Sequence, residues 1–207
     1  MAKLKSLVNG IGNVKLTKKY YNDWSINYDK TLERWNYQAP KKCIMILKQK
    51  LKVQPKNILD LACGTGLFGQ ELKNIYKNSQ IYGSDISEKS LSIAKKKKIY
   101  KGLATNNFEI KKYYKIKFDL VSMVGSMTYC KNFDNLFSNI KFYLNKKGHF
   151  IFSHRTDLWS KQKFDVILDN FSKSFTIKFI SRPVYYLPLN NDFKDKIKIK
   201  LVLLQKY

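Results

Sequence analysis

The stretch ILDLACGTGLFG, residues 58–69, decides the fold. A short apolar run ends in Asp60, and a glycine turn follows at once. Gly64, Gly66 and Gly69 stand at G-x-G-x-x-G spacing, the pattern of a nucleotide loop between a strand and a helix. Gly64 and Gly66 let the backbone approach a ligand without a Cβ clash. The helix that follows aims its free N–H groups at the same place. A lone pattern of this kind is weakly specific, so its surroundings carry the argument.

Downstream, strand and helix patterns alternate. Strands are predicted over 58–61, 80–83, 103–105, 118–124 and 148–153. Helices are predicted over 67–76, 87–97 (with Ser87 as N-cap) and 133–144. Such alternation implies a mostly parallel sheet covered by helices on both faces. A further helix over 160–171 leads into two strand-like runs, 175–187 and 196–206, joined by the turn PLNND. These read as an antiparallel hairpin added to the sheet edge. Upstream, residues 1–18 read as a loose basic arm and 19–37 are dense in aromatics. Ala39-Pro40 opens a helix whose apolar face is Cys43, Ile44, Ile46, Leu47 and Leu51. The expected fold is α/β. It is a Rossmann-like, doubly wound, seven-stranded sheet with a C-terminal antiparallel hairpin and an N-terminal helical cap. The arm and cap fill residues 1–56 and the core fills 57–207, as one domain overall.

The chain has 207 residues, 44% of them hydrophobic, which is enough to bury a core. No apolar run approaches the length of a membrane span, and the N-terminus lacks the apolar stretch of a secretory signal. Cys43, Cys63 and Cys130 are odd in number and widely spaced, so they form neither a disulfide framework nor a metal pattern. Reduced thiols in a cytoplasmic protein are expected. The net charge of +25 points toward an anionic partner, but only Arg34, Arg155 and Arg182 are arginines. Arginine is the better residue for bidentate phosphate and base contacts. Lys, Asn, Ile, Tyr and Phe all have A/T-rich codons, so genome composition alone gives such a bias, and that reading is preferred to selection for an anionic partner.

In an open α/β sheet, ligands sit at the carboxyl ends of the strands. After the first strand stand Asp60 and the glycine turn. After the second comes Asp85, whose carboxylate can accept from both hydroxyls of a ribose. Asn106 and Asn107 follow the third strand, Val124, Gly125 and Ser126 the fourth, and Ser153 and His154 the fifth. A carboxylate beside the loop disfavours the diphosphate of a dinucleotide and suits a ligand that carries an amine. The terminal hairpin is also not how a six-stranded dinucleotide fold ends. The residues by themselves reach a nucleoside at the strand ends.

Four stretches carry a resemblance. DLACGTGLFG, IYGSDIS, FDLVSMVGS and GHFIFS resemble the first, second, fourth and fifth motifs of class I S-adenosylmethionine-dependent methyltransferases, in order and at fitting spacing. The aromatic segment YNDWSINYD, with WNYQAP after it, resembles the cap of a subgroup of small methyltransferases. That subgroup includes the Williams–Beuren-region methyltransferase-like proteins. The resemblance implies that backbone around Ala62, Gly64 and Gly66 holds the methionine part of S-adenosylmethionine. Asp60 would orient its ammonium and Asp85 would bind the ribose. Asn107 would approach the adenine N6, where the family usually has Asp, with Ile86, Phe108 and Val124 also against the cofactor. Ala62 stands where glycine is commoner, and Tyr21 and Tyr28 would close the pocket from the cap.

A sulfonium methyl is already activated, so the chemistry asks mainly for in-line positioning. His154 is the candidate base if the acceptor must lose a proton, against the plain reading of a packed strand-end histidine. His149 reads as structural. Tyr129 reads as an acceptor contact or as ordinary packing, and Trp24, Trp35 and Tyr37 as core of the cap in preference to acceptor contacts. Arg155 reads as a partner for an acceptor carboxylate or as plain surface. Cys63 is not read as catalytic. The expected function is methyl transfer to a small-molecule acceptor (EC 2.1.1.-), with S-adenosylhomocysteine as product and no metal or membrane. The runners-up are a nucleic-acid methyltransferase and a non-catalytic nucleoside-binding protein on the same fold. Against the first, the fourth motif is S-M-V-G, not the N-P-P-Y type, and no Pro-Cys nucleophile occurs there. An NAD oxidoreductase is more distant.

Overall fold

A computed structural model describes residues 11–193 and 196–207. Two helices precede the sheet, α1 (Val14–Arg34) and α2 (Ala39–Lys50). Then β1 (Asn57–Leu61), α3 (Leu67–Ile75), β2 (Gln80–Asp85), α4 (Glu88–Lys96) and β3 (Tyr100–Thr105) alternate. They are followed by β4 (Phe118–Met123), α5 (Phe133–Tyr143) and β5 (Leu144–Arg155). The end of the chain adds α6 (Thr156–Lys161), α7 (Phe164–Asn170), β6 (Phe175–Ile180), β7 (Val184–Tyr185) and β8 (Lys198–Lys206).

The strands form one sheet in the order β3-β2-β1-β4-β5-β8-β6, with β7 also paired to β8. The first five are parallel, and β8 runs antiparallel between β5 and β6. The hairpin therefore joins the edge with its second arm innermost. The sheet has eight strands where the sequence predicts seven, because the run 175–187 is interrupted. Pro183 lies at the break between β6 and β7 and has no N–H to give the ladder.

Two other expectations are corrected. Residues 14–18 belong to α1, whose N-cap Asn13 accepts the Leu16 N–H through its side chain; residues 1–10 of the expected arm lie outside the described residues. The expected helix over 160–171 is two helices, broken where Lys163 adopts φ 50°.

Side-chain alternation along the strands divides the core into two faces. On β1, β4 and β5, Ile58, Leu120 and Ile151 pack toward α1, α2 and α3. Leu59, Val121, Phe150 and Phe152 pack toward α5 and α7. The cap shares the first of these cores, since Trp24, Leu32, Cys43 and Leu47 pack there with Ile58 and Phe68. All three cysteines are free and buried. No described helix is long and apolar enough to cross a membrane.

Candidate active site

A cleft holding about 780 Å³ of empty space, part of it open to solvent, lies at the carboxyl ends of the parallel strands. That is within the ordinary range for a small-ligand site. Ala62 and Gly64 line it after β1, Asp85 and Ile86 after β2, and Asn106–Glu109 after β3. Val124, Gly125 and Ser126 line it after β4. It sits where the sheet order reverses between β1 and β4, the place that an open α/β sheet reserves for its ligand.

The loop after β1 is held in a strained shape. Ala62 has φ 51°, Gly64 φ 55° and Gly66 φ 87°. A Cβ at Gly64 would meet nothing within 4 Å. The open side of Gly64 thus leaves room for a ligand that presses against the backbone. Its N–H donates to Asp85 Oδ2 at 2.8 Å, while the Ser87 N–H donates to Asp85 Oδ1 at 2.8 Å. Burial pushes the Asp85 pKa up, and N–H groups of Ser87, Gly64 and Ile86 oppose the rise.

Asp60 lies beneath, in a recess next to the cleft that shares Tyr28, Ala62, Gly64 and Val124 with it. The carboxylate is 1% exposed and accepts only from neutral groups, Ser122 Oγ at 2.7 Å and Tyr100 OH at 2.9 Å. Burial raises its pKa to about 6, against both hydrogen bonds. Such a group is suited to receive a cation.

Tyr100 reaches Asp60 by passing under the loop, and the glycines clear its way. A Cβ at Gly69 would stand 2.1 Å from the Tyr100 hydroxyl, and one at Gly83 would stand 2.9 Å from its ring. The third glycine of the loop therefore makes room for a side chain that orients Asp60. Gly66 also faces Tyr100, with its ring 3.1 Å from the Cβ position, and does not line the cleft.

α1 forms the roof. Thr17, Tyr21, Trp24, Tyr28 and Thr31 follow one another at alternating four- and three-residue steps, so they share one helix face. Tyr21 and Tyr28 line the cleft, and Trp24 is buried with its ring 4.6 Å from that of Tyr28. Tyr21 OH donates to Tyr129 OH at 2.9 Å, so cap and sheet meet across the opening. Polar contacts fix the roof to the sheet: Ser87 Oγ donates to Asn22 Oδ1 at 2.7 Å, Lys97 pairs with Asp29 at 2.9 Å, and Thr65 Oγ1 donates to Asp29. The sequence reading missed Asn22, Asp29, Thr65, Tyr100 and Ser122. Of these only Tyr100 had a signal, in the three glycines that face it.

Asn107 is in the cleft, but its Oδ1 already accepts the Glu109 N–H at 3.0 Å, leaving one lone pair. Phe108 and Ile86 supply apolar walls. His154 is corrected: it is 1% exposed and packs against Phe164 with ring centroids 4.6 Å apart, and it is absent from the cleft lining. Its Nε2 is 2.9 Å from Gln162 Oε1, and burial lowers its pKa to about 4. The cause is parity. His154 shares the α5 and α7 side of β5 with Phe150 and Phe152. Its neighbours Ser153 and Arg155 point to the other face, where Ser153 Oγ accepts the Gly125 N–H at 2.8 Å. Arg155 is no surface residue, being 5% exposed. Burial holds the Cys63 thiol protonated, with its pKa well above the usual value.

The chain is similar to known proteins. Residues 52–158 match the family described as Methyltransferase domain. A malonyl-[acyl-carrier protein] O-methyltransferase of Legionella pneumophila is 49% identical over 49 residues, covering 24% of this chain and 17% of that protein. The human methyltransferase-like protein 27 is 32% identical over 124 residues, covering 58% of this chain and 50% of that protein. The chain thus spans half or less of these two curated relatives. The solved plantazolicin methyltransferase BpumL, in complex with SAH, superposes with a TM-score of 0.67 at 14% identity, covering 92% of this chain and 91% of that one. At that identity the likeness shows the fold.

Proposed function

This chain belongs to the Methyltransferase domain family, whose class I members use S-adenosylmethionine, and we propose that it transfers a methyl group to a small-molecule acceptor in the cleft under α1. The observation that carries the reading is the pairing of the open backbone at Gly64 with the Asp85 carboxylate. The residues present fit the cofactor. Asp85 has lone pairs for ribose hydroxyls beyond the two N–H groups it already accepts. Asp60 is a buried carboxylate that pairs with no cation among the described residues. Ile86 and Phe108 offer apolar faces to an adenine, and the free lone pair of Asn107 suits its N6. Ala62, Gly64 and Val124 lie where the cleft and the Asp60 recess meet, which suits the methionine part.

When bound, S-adenosylmethionine supplies a sulfonium methyl that needs no further activation. The work of this chain is to hold the donor in line with the acceptor and to exclude water. Tyr21, Tyr28 and Tyr129 do the second by closing the roof. Among the described residues no histidine or cysteine lines the cleft, and Asp85 and Glu109 are both committed to backbone N–H groups. This favours an acceptor whose lone pair is free at neutral pH over one that must first lose a proton.

Titration calorimetry with S-adenosylmethionine, S-adenosylhomocysteine and NAD tests the reading. Micromolar binding of the first two, with none of NAD, is expected. Binding of neither would sink it, and a non-catalytic protein on the same fold would take its place. A nucleic-acid acceptor predicts instead a salt-dependent shift of an RNA or DNA fragment.

A further inference from the structure

Arg155 ends β5 on the cap side of the sheet and is almost wholly buried, with 6% of its side chain exposed. One edge of the guanidinium is satisfied: Nε donates to Asp157 Oδ1 at 3.0 Å and Nη2 to Asp157 Oδ2 at 2.6 Å. The other edge is not. Nη1 is buried and donates to no group among the described residues. Its two N–H groups have been taken from water with nothing in return, a cost that native structures rarely tolerate without a use.

Arg155 itself does not line the cleft, but a run of packed rings, Phe193, Tyr186 and Tyr37, leads from it to Gly125 in the cleft wall. The guanidinium carbon lies 5.1 Å from the Phe193 ring centroid, and Phe193 packs on Tyr186. The Arg155 charge acts on Tyr129 and Tyr186, opposing the burial that raises both phenols, Tyr186 to about 12. Tyr129 lines the cleft and closes it with Tyr21. Arg155 therefore stands behind the wall formed by Tyr129, after β5 and next to the Gly125 turn. The cofactor residues Asp85, Ile86 and Asn107 belong to the opposite half of the sheet, so an acceptor would lie on the Arg155 side.

We propose that Arg155 receives a carboxylate of the methyl acceptor through Nη1, so that the substrates are carboxylic acids. The inference rests on the methyltransferase reading above. Planar guanidinium matches carboxylate geometry, and a desolvated cation with one free edge selects strongly for an anion over a neutral isostere. It also agrees with the lack of a base in the cleft. Entry requires that the Tyr129 side chain give way, parting its hydroxyl from that of Tyr21.

The test uses the full chain saturated with S-adenosylhomocysteine. Hexanoate, phenylacetate and malonate are titrated calorimetrically beside their primary amides. At least one carboxylate is expected to bind, and its amide at least tenfold more weakly. Arg155→Gln should lose that carboxylate by tenfold or more while binding S-adenosylhomocysteine as before, and Arg155→Lys should keep part of it. Binding of no carboxylate, equal binding of acid and amide, or an unchanged affinity in Arg155→Gln would overturn the proposal. The comparison of acid with amide on the unmodified chain stands even if the variants do not fold. Failure to bind S-adenosylhomocysteine at all is a separate result and strikes the methyltransferase reading instead.

Discussion

The Gly64 N–H donates to the Asp85 carboxylate at 2.8 Å, joining the turn after β1 to the end of β2 across the cleft. One oxygen of Asp85 thereby shapes the loop and the other caps the turn into α4 through Ser87. The residue expected to bind a ribose is also the clasp between the two segments that a nucleoside would touch.

Asp85→Asn is the variant that separates these roles. The amide keeps one acceptor oxygen, so it can hold either the Gly64 or the Ser87 N–H, and it offers a ligand no charge. Loss of a charged hydrogen bond costs about 1.5–3 kcal/mol. S-adenosylhomocysteine should therefore bind roughly 10- to 150-fold more weakly by calorimetry. An unchanged affinity would remove Asp85 from the cofactor site.

Gly69 is explained by Tyr100. A methyl at Gly69 would stand 2.1 Å from the Tyr100 hydroxyl and 2.5 Å from the ring carbon that bears it. The ring is half-buried, wedged among Gly66, Gly69 and Gly83 and tied by its hydroxyl to Asp60, so it does not move aside cheaply. Gly69→Ala should destabilise the chain by about 1–3 kcal/mol, the usual cost of overpacking. Tyr100→Phe removes the nearest atom, so the double variant should recover part of the loss. Denaturant melts of the four proteins check this, and strictly additive effects would refute the contact.

Much of this was legible in the sequence, and the limits have physical causes. Strand and helix order followed from hydrophobic period, and the glycine turn with Asp60 and Asp85 located the ligand edge. What failed was finer. The break at Lys163 needs a left-handed residue that no glycine announced, and the break before β7 turned on one proline inside an apolar run. His154 and Arg155 are adjacent, and a strand reverses face at every residue. Assigning each to its face of the sheet required the register of β5 against β4 and β8, which no local pattern reveals. Tyr100 and Asn22 act across tens of residues, so their roles appeared only with the tertiary structure.

His154→Phe tests the parity argument. The imidazole is buried among Phe133, Trp159 and Phe164, so a phenyl ring suits its surroundings. The pKa is lowered to about 4 by burial, below the unfolded value of about 6.5. The folded state therefore prefers the neutral ring. The stability this gives is full above pH 6.5 and is lost as pH falls through 6.5 toward 4. His154→Phe should resist acid better than the parent over that window and should bind S-adenosylhomocysteine equally well. A loss of cofactor binding or of methyl transfer would return His154 to the site.

Asp60 predicts the opposite slope. Burial raises its pKa to about 6 from an unfolded value near 3.9, so the folded state holds the proton more tightly than the unfolded one. The stability from that proton is full below about pH 4 and is lost as pH rises through 6. At pH 7 an unliganded chain thus bears an uncompensated carboxylate, at a cost on the order of 2–3 kcal/mol. Asp60→Asn keeps the shape and removes the charge, and its amide can bond both Ser122 and Tyr100, whose hydroxyls turn to suit. The unliganded variant should match the parent near pH 4 and exceed its stability increasingly toward pH 7. It should also bind S-adenosylmethionine more weakly, because the charge that costs stability is the one left for the ammonium of the cofactor. Melting curves at pH 4, 5.5 and 7, with and without the cofactor, check both halves. A variant less stable than the parent at pH 7 would mean that Asp60 serves the fold and not the ligand.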